Sequence, residues 1–192
     1  MKVKVKLAGV VVVGVLLAGT VPLRAQADEG VMSDAEVESL RDAAYVPMDR
    51  IAAYVKILDT REKRLDGLVS KRRYPGRADE LHDLMSQMAG IADELSDNLE
   101  ELDKQHRDVR KALPKVVSAT ERWSTALRAP ADDVAYNVER KLALDALKDM
   151  RELAEGMETE EEAYFKEHPE AEKAEKERVA HPHATSAGEA PN

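Results

Sequence analysis

Apolar residues recur every seven positions through the middle of this 192-residue chain. The positions of this repeat are Leu81, Met88, Leu95, Leu102, Val109, Val116 and Trp123. A second set lies between them: Leu84, Ile91, Asn98, Gln105 and Ala112. A repeat of this kind is typical of helices that pack along a narrow apolar seam. The pattern predicts an all-α protein with one long, coiled-coil-like helix from about residue 78 to residue 128.

Helical patterns flank this segment on its N-terminal side. Ser33 and Glu36 have the S-x-x-E spacing of a capping box, which predicts a helix start at Ser33. Apolar residues then recur every three or four positions as far as Leu68, and Pro47 does not shift their phase. We therefore expect one helix, kinked at Pro47, that ends near Arg72.

A third helix is predicted after Ala129-Pro130-Ala131, which interrupts the pattern. Asp132 and Asp133 favour its start, because acidic side chains stabilise the first turn of a helix. We expect it to run to about Phe165. Its apolar stripe consists of Val134, Val138, Leu142, Leu147, Met150, Leu153 and Met157.

Short turns between the helices predict antiparallel neighbours. The first turn is Tyr74-Pro75-Gly76-Arg77. Pro114 lies inside the second helix without interrupting the seven-residue phase, which favours elongated antiparallel helical hairpins built from three long helices. If the second helix instead breaks at Pro114, four helices form a compact bundle.

The first 27 residues have the pattern of a cleavable signal peptide. Lys2, Lys4 and Lys6 precede an apolar run from Leu7 to Val21, and Ala25-Gln26-Ala27 supplies the small-x-small cleavage pattern. The run is shorter than the roughly 20 residues that span a bilayer. The pattern predicts a secreted or periplasmic protein with no transmembrane helix after cleavage, and retention of the segment as an anchor is the alternative.

The remaining chain divides into three parts. Residues 28–32 are a short N-terminal segment, and residues 33–167 are the helical domain. From His168 the sequence is charged, rich in alanine and without an apolar stripe, which predicts a disordered tail over residues 168–192.

Charge and cysteine content exclude several classes of function. Removal of Lys2, Lys4, Lys6 and Arg24 with the signal peptide shifts the formal net charge from −9 to −13. Such an acidic protein repels nucleic acid over most of its surface, so no nucleic-acid partner is expected. The chain has no cysteine, which excludes disulfides, zinc–thiolate sites and thiol catalysis.

Motifs that resemble catalytic or metal sites are weak. Asp79, His82 and Ser86 lie on one helical face but at exposed heptad positions, where no pocket forms. The pairs Asp79–His82 and Asp103–His106 are too far apart along one helix to share a metal. We therefore expect no catalytic residues, no metal site and no bound cofactor, and His181-Pro182-His183 is interpreted as incidental.

A cofactor-binding four-helix bundle is the alternative to this interpretation. Haem can be held by methionine and histidine without cysteine. The available side chains are Met32, Met48, Met150 and Met157, with His106 or His168. No spacing selects a pair among them.

Two turns are the candidate binding regions. The first carries a basic cluster around Tyr74-Pro75-Gly76, which either complements the dipole of the helix that ends there or binds an anionic group: Arg64, Lys71, Arg72, Arg73 and Arg77. The second is a candidate partner surface formed by Trp123 and Tyr136 if these rings are exposed, since aromatic residues are favoured binding anchors. Core packing of Trp123 is the default interpretation, and the partner surface is the alternative to it.

Polar residues at seam positions are a further signal. Arg61, Asn98 and Gln105 occupy places that the pattern assigns to apolar side chains. Such residues can select one register between helices at a cost in stability.

Taken together, these features predict an exported, non-enzymatic helical protein of the cell envelope that acts as a scaffold, adaptor or chaperone-like binder. Its partner is an unidentified protein or envelope component. Dimerisation of the chain through its heptad seam is left open.

Overall fold

The computed structural model describes residues 30–181, and within this range every regular element is an α-helix. The all-α class is therefore confirmed. The helices are α1 (Asp34–Asp42), α2 (Pro47–Ser70), α3 (Arg77–Lys104), α4 (Leu113–Arg128), α5 (Asn137–Glu167) and α6 (Pro169–Ala180). The predicted signal peptide and the end of the predicted tail, including His183, lie outside the described residues.

Helices α2 to α5 form a four-helix bundle. Helix α2 packs against α3 and α4, and α5 packs against the same two helices. His82 near the start of α3 lies 3.3 Å from Glu139 near the start of α5, so these two helices run in the same direction. Because α2 is antiparallel to α3 and α4 is antiparallel to α5, α2 and α4 are also parallel.

The predicted long second helix is wrong, because the chain breaks over residues 105–112 and folds back as α4. His106 adopts a left-handed conformation with φ of 48°. The amides of His106 and Arg107 donate to the carbonyls of Asp103 and Leu102, at 2.9 and 3.0 Å. These bonds form a Schellman motif, which ends helices most often with glycine at the left-handed position. Here histidine takes that position, so the sequence carries no glycine signal.

The two prolines that the apolar pattern placed inside helices, Pro47 and Pro114, begin helices instead of bending them. Pro47 is in the first turn of α2, and the residue before it, Val46, is extended with φ of −117° and ψ of 106°. A proline disfavours helical geometry in the preceding residue, which explains why α1 and α2 are separate and the predicted single kinked helix is wrong. Pro114 likewise lies in the first turn of α4.

The seven-residue repeat remains unbroken because the link between α3 and α4 also enters the core. Val109 and Ala112 in this link are buried, as are the apolar seam residues of both flanking helices, whereas Asn98 is half-buried and Gln105 is exposed. The seam is thus used within one chain.

Part of the predicted tail is helical. After His168 the chain folds back as α6, which packs on α5 and places Glu175 at 5% exposure. The prediction of disorder is therefore wrong for residues 169–180. No helix among residues 30–181 combines the length and the apolar character needed to cross a bilayer.

Candidate functional site

The two predicted turns lie at the same end of the bundle. Residues 71–76 follow the C-terminus of α2, and residues 129–136 follow the C-terminus of the parallel helix α4. In the elongated arrangement they would have stood at opposite ends of one long helix. The fold-back at residues 105–112 brings them together, and we call this the tip end.

Four basic side chains around the first turn carry no internal partner in the described range. Arg64, Lys71, Arg72 and Arg73 are exposed, and none of them forms a hydrogen bond or an ion pair with another residue in the described range. We call these four side chains the basic tip. Their charges are therefore available to an external anion.

Arg77, which the sequence grouped with them, has a structural role. Its Nε donates to the carbonyl of Leu68 at 2.7 Å, and its Nη2 lies 3.4 Å from the carbonyl of Val69. These are carbonyls of the last turn of α2, which have no partner within the helix. Gly76 precedes Arg77 with φ of 87°, a left-handed conformation that glycine adopts without steric cost.

Trp123 and Tyr136 pack inside the protein and do not present a surface. Trp123 is fully buried, and its indole N–H donates to Asp59 at 2.9 Å. Tyr136 is 4% exposed, and its hydroxyl donates to the carbonyl of Ala131 at 2.6 Å. Both rings satisfy their polar atoms internally, so the core-packing interpretation describes this pair.

The exposed apolar side chains near the second turn are different residues. Val134, Val138 and Leu142 are 95%, 63% and 55% exposed. The sequence pattern placed them on the packed stripe of the third helix, but that stripe begins only at Ala143. These three residues leave a small apolar patch on the outside of the tip end.

A second group of charged residues lies at the opposite end, where α6 covers the link between α3 and α4. Arg107 in the link donates to Glu175 of α6 at 2.8 Å, with the two side chains 13% and 5% exposed. Arg110 pairs with Asp108 at 2.8 Å, lies 3.5 Å from Glu172 of α6, and stacks over the ring of Phe165. These contacts attach α6 to the bundle.

Glu161 lies beneath this group in α5. It is 1% exposed, and neither carboxyl oxygen has a hydrogen-bond partner among the described residues. Burial, with the negative charges of Asp103, Asp108 and Glu175, raises the pKa of this carboxyl to about 7. Glu161 therefore holds a proton under mildly acidic conditions.

The histidines considered as ligands are engaged elsewhere. His106 and His168 both stack on the ring of Tyr164, with centroids 3.9 and 4.5 Å away. His82 contacts Asp83 and Glu139, and within the described chain it does not bond to Asp79 or Ser86. Among residues 30–181, no group of three or more His, Asp or Glu side chains is arranged to hold a metal ion.

An open groove of about 570 Å³ lies between α2 and α4. Glu62, Asp66, Glu121 and Arg122 are among the residues that line it. Arg122 crosses the groove to Asp59 and Glu62 of α2. The groove therefore contains a surface ion-pair network that links the two parallel helices.

The sequence interpretation missed Glu161, although its spacing carried a signal. Met150, Ala154, Met157, Glu161 and Phe165 follow one another at intervals of three or four and are all buried. The acidic run around residue 161 made each glutamate look like part of a solvated surface. Reading the apolar stripe through that run would have identified the buried one.

Comparison of this chain with protein-family models, with curated proteins and with solved structures yields no match.

Proposed function

We propose that this chain is an exported, non-enzymatic helical protein of the cell envelope that acts by binding, as a scaffold, adaptor or chaperone-like protein. In this proposal the tip end is the binding surface and its partner presents anionic groups. The protein contributes a rigid bundle that holds this surface away from the acidic remainder of the molecule.

The observation that carries the proposal is the basic tip. Arg64, Lys71, Arg72 and Arg73 remain exposed and unpaired in a protein with a formal net charge of −9. Several arginines elsewhere donate to carboxylates, as Arg107 and Arg122 do. A cluster of unpaired cations on an acidic protein favours local attraction of an anionic partner.

Two further features of the tip end support its assignment as the binding surface in this proposal. Helix α3 begins beside the basic tip without a side-chain cap, so the positive end of its dipole lies at this end, where Asp79 and Glu80 in the first turn offset part of its field. The apolar patch of Val134, Val138 and Leu142 lies at this end as well. Basic and apolar side chains together are typical of proteins that contact anionic lipid headgroups.

Binding of the mature protein to vesicles tests the proposal. The chain is mixed with vesicles of an anionic phospholipid, and separately with inorganic polyphosphate, at low and high salt. Replacement of Lys71, Arg72 and Arg73 by Gln is expected to weaken binding by at least about tenfold, because each contact near an anionic surface contributes about 1 kcal/mol.

A matched variant separates local charge from net charge. Gln at Lys56, Lys104 and Lys115 removes the same number of charges from exposed positions away from the basic tip. Retention of binding by this control, with loss in the tip variant, supports the proposal. Equal binding by all three proteins, or no binding of the parent to either anion, would contradict it.

The alternative function is a haem- or metal-binding four-helix bundle of the periplasm. The compact packing of α2 to α5 favours it, since this architecture is the one that such proteins use. Met150 and Met157 lie in its core. A visible absorption spectrum or bound metal in the protein purified from its native envelope would support this alternative over the first.

A further inference from the structure

Glu161 is a buried acid with nothing to stabilise its charge. Both carboxyl oxygens are inaccessible to solvent and lack a donor among the described residues. A carboxylate in such a place is strongly disfavoured, whereas the neutral acid is tolerated. The arrangement in which α6 packs on the bundle, here called the docked state, is therefore compatible only with the protonated, neutral form of Glu161.

Charged groups on α3, in the link between α3 and α4, and on α6 act on this carboxyl. Asp103 is on α3, Asp108 and Arg110 are in the link between α3 and α4, and Glu175 is on α6. Three of these four groups are acidic. Arg110 is the cation that favours ionisation of Glu161, and it is already paired with Asp108 at 2.8 Å. Arg107 and Arg178 are likewise paired with Glu175. An ionised Glu161 would thus be a fourth carboxylate among cations that are already paired.

Helix α6 is the element that can respond. It is 12 residues long, and among the helices it packs on α5. Its buried side chain is Glu175, held by Arg107 at 2.8 Å and by Arg178 of the same helix at 2.9 Å. Repulsion between Glu175 and an ionised Glu161 acts directly on this attachment. Asp103, by contrast, belongs to the long helix α3 in the bundle.

We propose that the protonated carboxyl of Glu161 keeps α6 docked on the bundle, and that loss of this proton releases α6. Release admits water to Glu161 and separates it from Glu175. It also uncovers Phe165, which is 2% exposed in the docked state, and the link at residues 105–112. The acidic end of the molecule is therefore a latch that opens as pH rises, independently of the basic tip at the other end.

The distance between α6 and the bundle shows whether α6 is docked or released. The chain has no cysteine, so Lys115→Cys in α4 and Lys173→Cys in α6 give a unique pair of spin-labelling sites. Distances are measured on the mature protein at about pH 5.5 and about pH 8.5, on either side of the carboxyl's titration. We expect one short distance at the lower pH. At the higher pH a longer distance should appear, with the released-to-docked ratio rising by up to about tenfold per pH unit as far as about pH 7 and levelling off above it.

Glu161→Gln supplies an uncharged side chain of nearly the same shape and should keep the short distance at both pH values. Glu162→Gln is the matched control, because Glu162 is the adjacent, exposed glutamate of α5 and should respond as the parent does. Comparison of the parent with Glu161→Gln isolates the part of the pH response that the Glu161 carboxyl causes. Helical circular dichroism and Trp123 emission confirm that the bundle stays folded.

Carbon-13 spectra of the glutamate carboxyls provide the second measurement. One carboxyl should titrate near neutral pH, and its signal should be lost in Glu161→Gln. The proposal is overturned if the parent shows the same distance at both pH values, or if Glu161→Gln retains the full pH response.

Discussion

Arg61 of α2 binds Glu36 of α1 through both ends of its guanidinium group. Its Nη1 and Nη2 atoms donate to Oε1 and Oε2 of the carboxylate at 2.7 and 2.8 Å. The same carboxylate accepts the backbone N–H of Ser33 at 2.9 Å and so completes the capping box of α1. The side chain of Glu36 therefore caps the N-terminus of α1 and also attaches α1 to the bundle. The ion pair with Glu36 explains why Arg61 occupies a seam position.

Replacement of Glu36 by Ala should release α1. Arg61 is 7% exposed, and removal of its partner leaves a nearly buried charge without compensation. We expect a loss of about 2 to 4 kcal/mol in the free energy of unfolding, with the largest increase in amide exchange confined to α1. Glu38→Ala is the control, because its ion pair with Arg41 is exposed and should contribute less than about 1 kcal/mol. Similar losses in the two variants would contradict this assignment.

Acid should weaken the same contact. Hydrogen bonds from Arg61 lower the pKa of Glu36 from 4.5 to about 2. A carboxyl whose pKa is lowered by folding stabilises the protein above its unfolded pKa, and this stabilisation is lost as the pH falls from about 4.5 towards about 2. We expect about 2 to 3 kcal/mol of acid-dependent stability from this group, measured by urea unfolding across that interval. In Glu36→Gln the slope over the interval should flatten, and an unchanged slope would show that other carboxyls cause it.

The left-handed residue between α3 and α4 gives a third prediction. His106→Gly relieves the steric cost of φ at 48°, whereas His106→Ala keeps the cost and loses the stacking on Tyr164. The glycine variant should be more stable than the alanine variant by about 1 kcal/mol. Thermal unfolding of the two proteins measures the difference. Equal stability would mean that the link relaxes to another conformation when the ring is absent.

Helical glycines should respond to alanine according to the space around them. A Cβ added at Gly67 of α2 or Gly156 of α5 meets no atom within 4 Å, so alanine there should stabilise the protein by about 0.5 to 1 kcal/mol. A Cβ at Gly90 of α3 would lie 3.0 Å from the side chain of Val31. Gly90→Ala should therefore gain less, unless Val31 is also replaced by Ala. The double variant should recover the full gain in a denaturant titration, and strict additivity of the two changes would rule out this contact.

Several local features could be predicted from the residues because they depend on near neighbours in the chain. The capping box of Ser33 and Glu36, the turn before Arg77 and the end of the third helix near Phe165 are confirmed, although that helix begins at Asn137 and not at Asp132. Each follows from hydrogen bonds or periodicity within a few residues.

The break at His106 could not be predicted in the same way. Helix α3 ends in backbone hydrogen bonds around a left-handed residue, and that residue is histidine instead of the usual glycine. Val109 in the link also keeps the apolar spacing, so the pattern shows no interruption between α3 and α4. The unshifted apolar pattern around the two prolines was also misleading. Pro47 and Pro114 each begin a new helix, and the apolar stripe of that helix continues the stripe of the helix before it.

The amino-acid order alone determines the helical class, the position of the seam and the basic turn, because these depend on side-chain type and on spacing along one helix. Tertiary structure decides that the chain folds into a four-helix bundle, that both turns meet at one end, and that Trp123 is core. It also decides that Glu161 is buried beneath α6 while its neighbour Glu162 is exposed. Burial and the resulting pKa depend on groups far apart in the chain, such as Asp103 and Glu175, and only the folded arrangement brings those charges together.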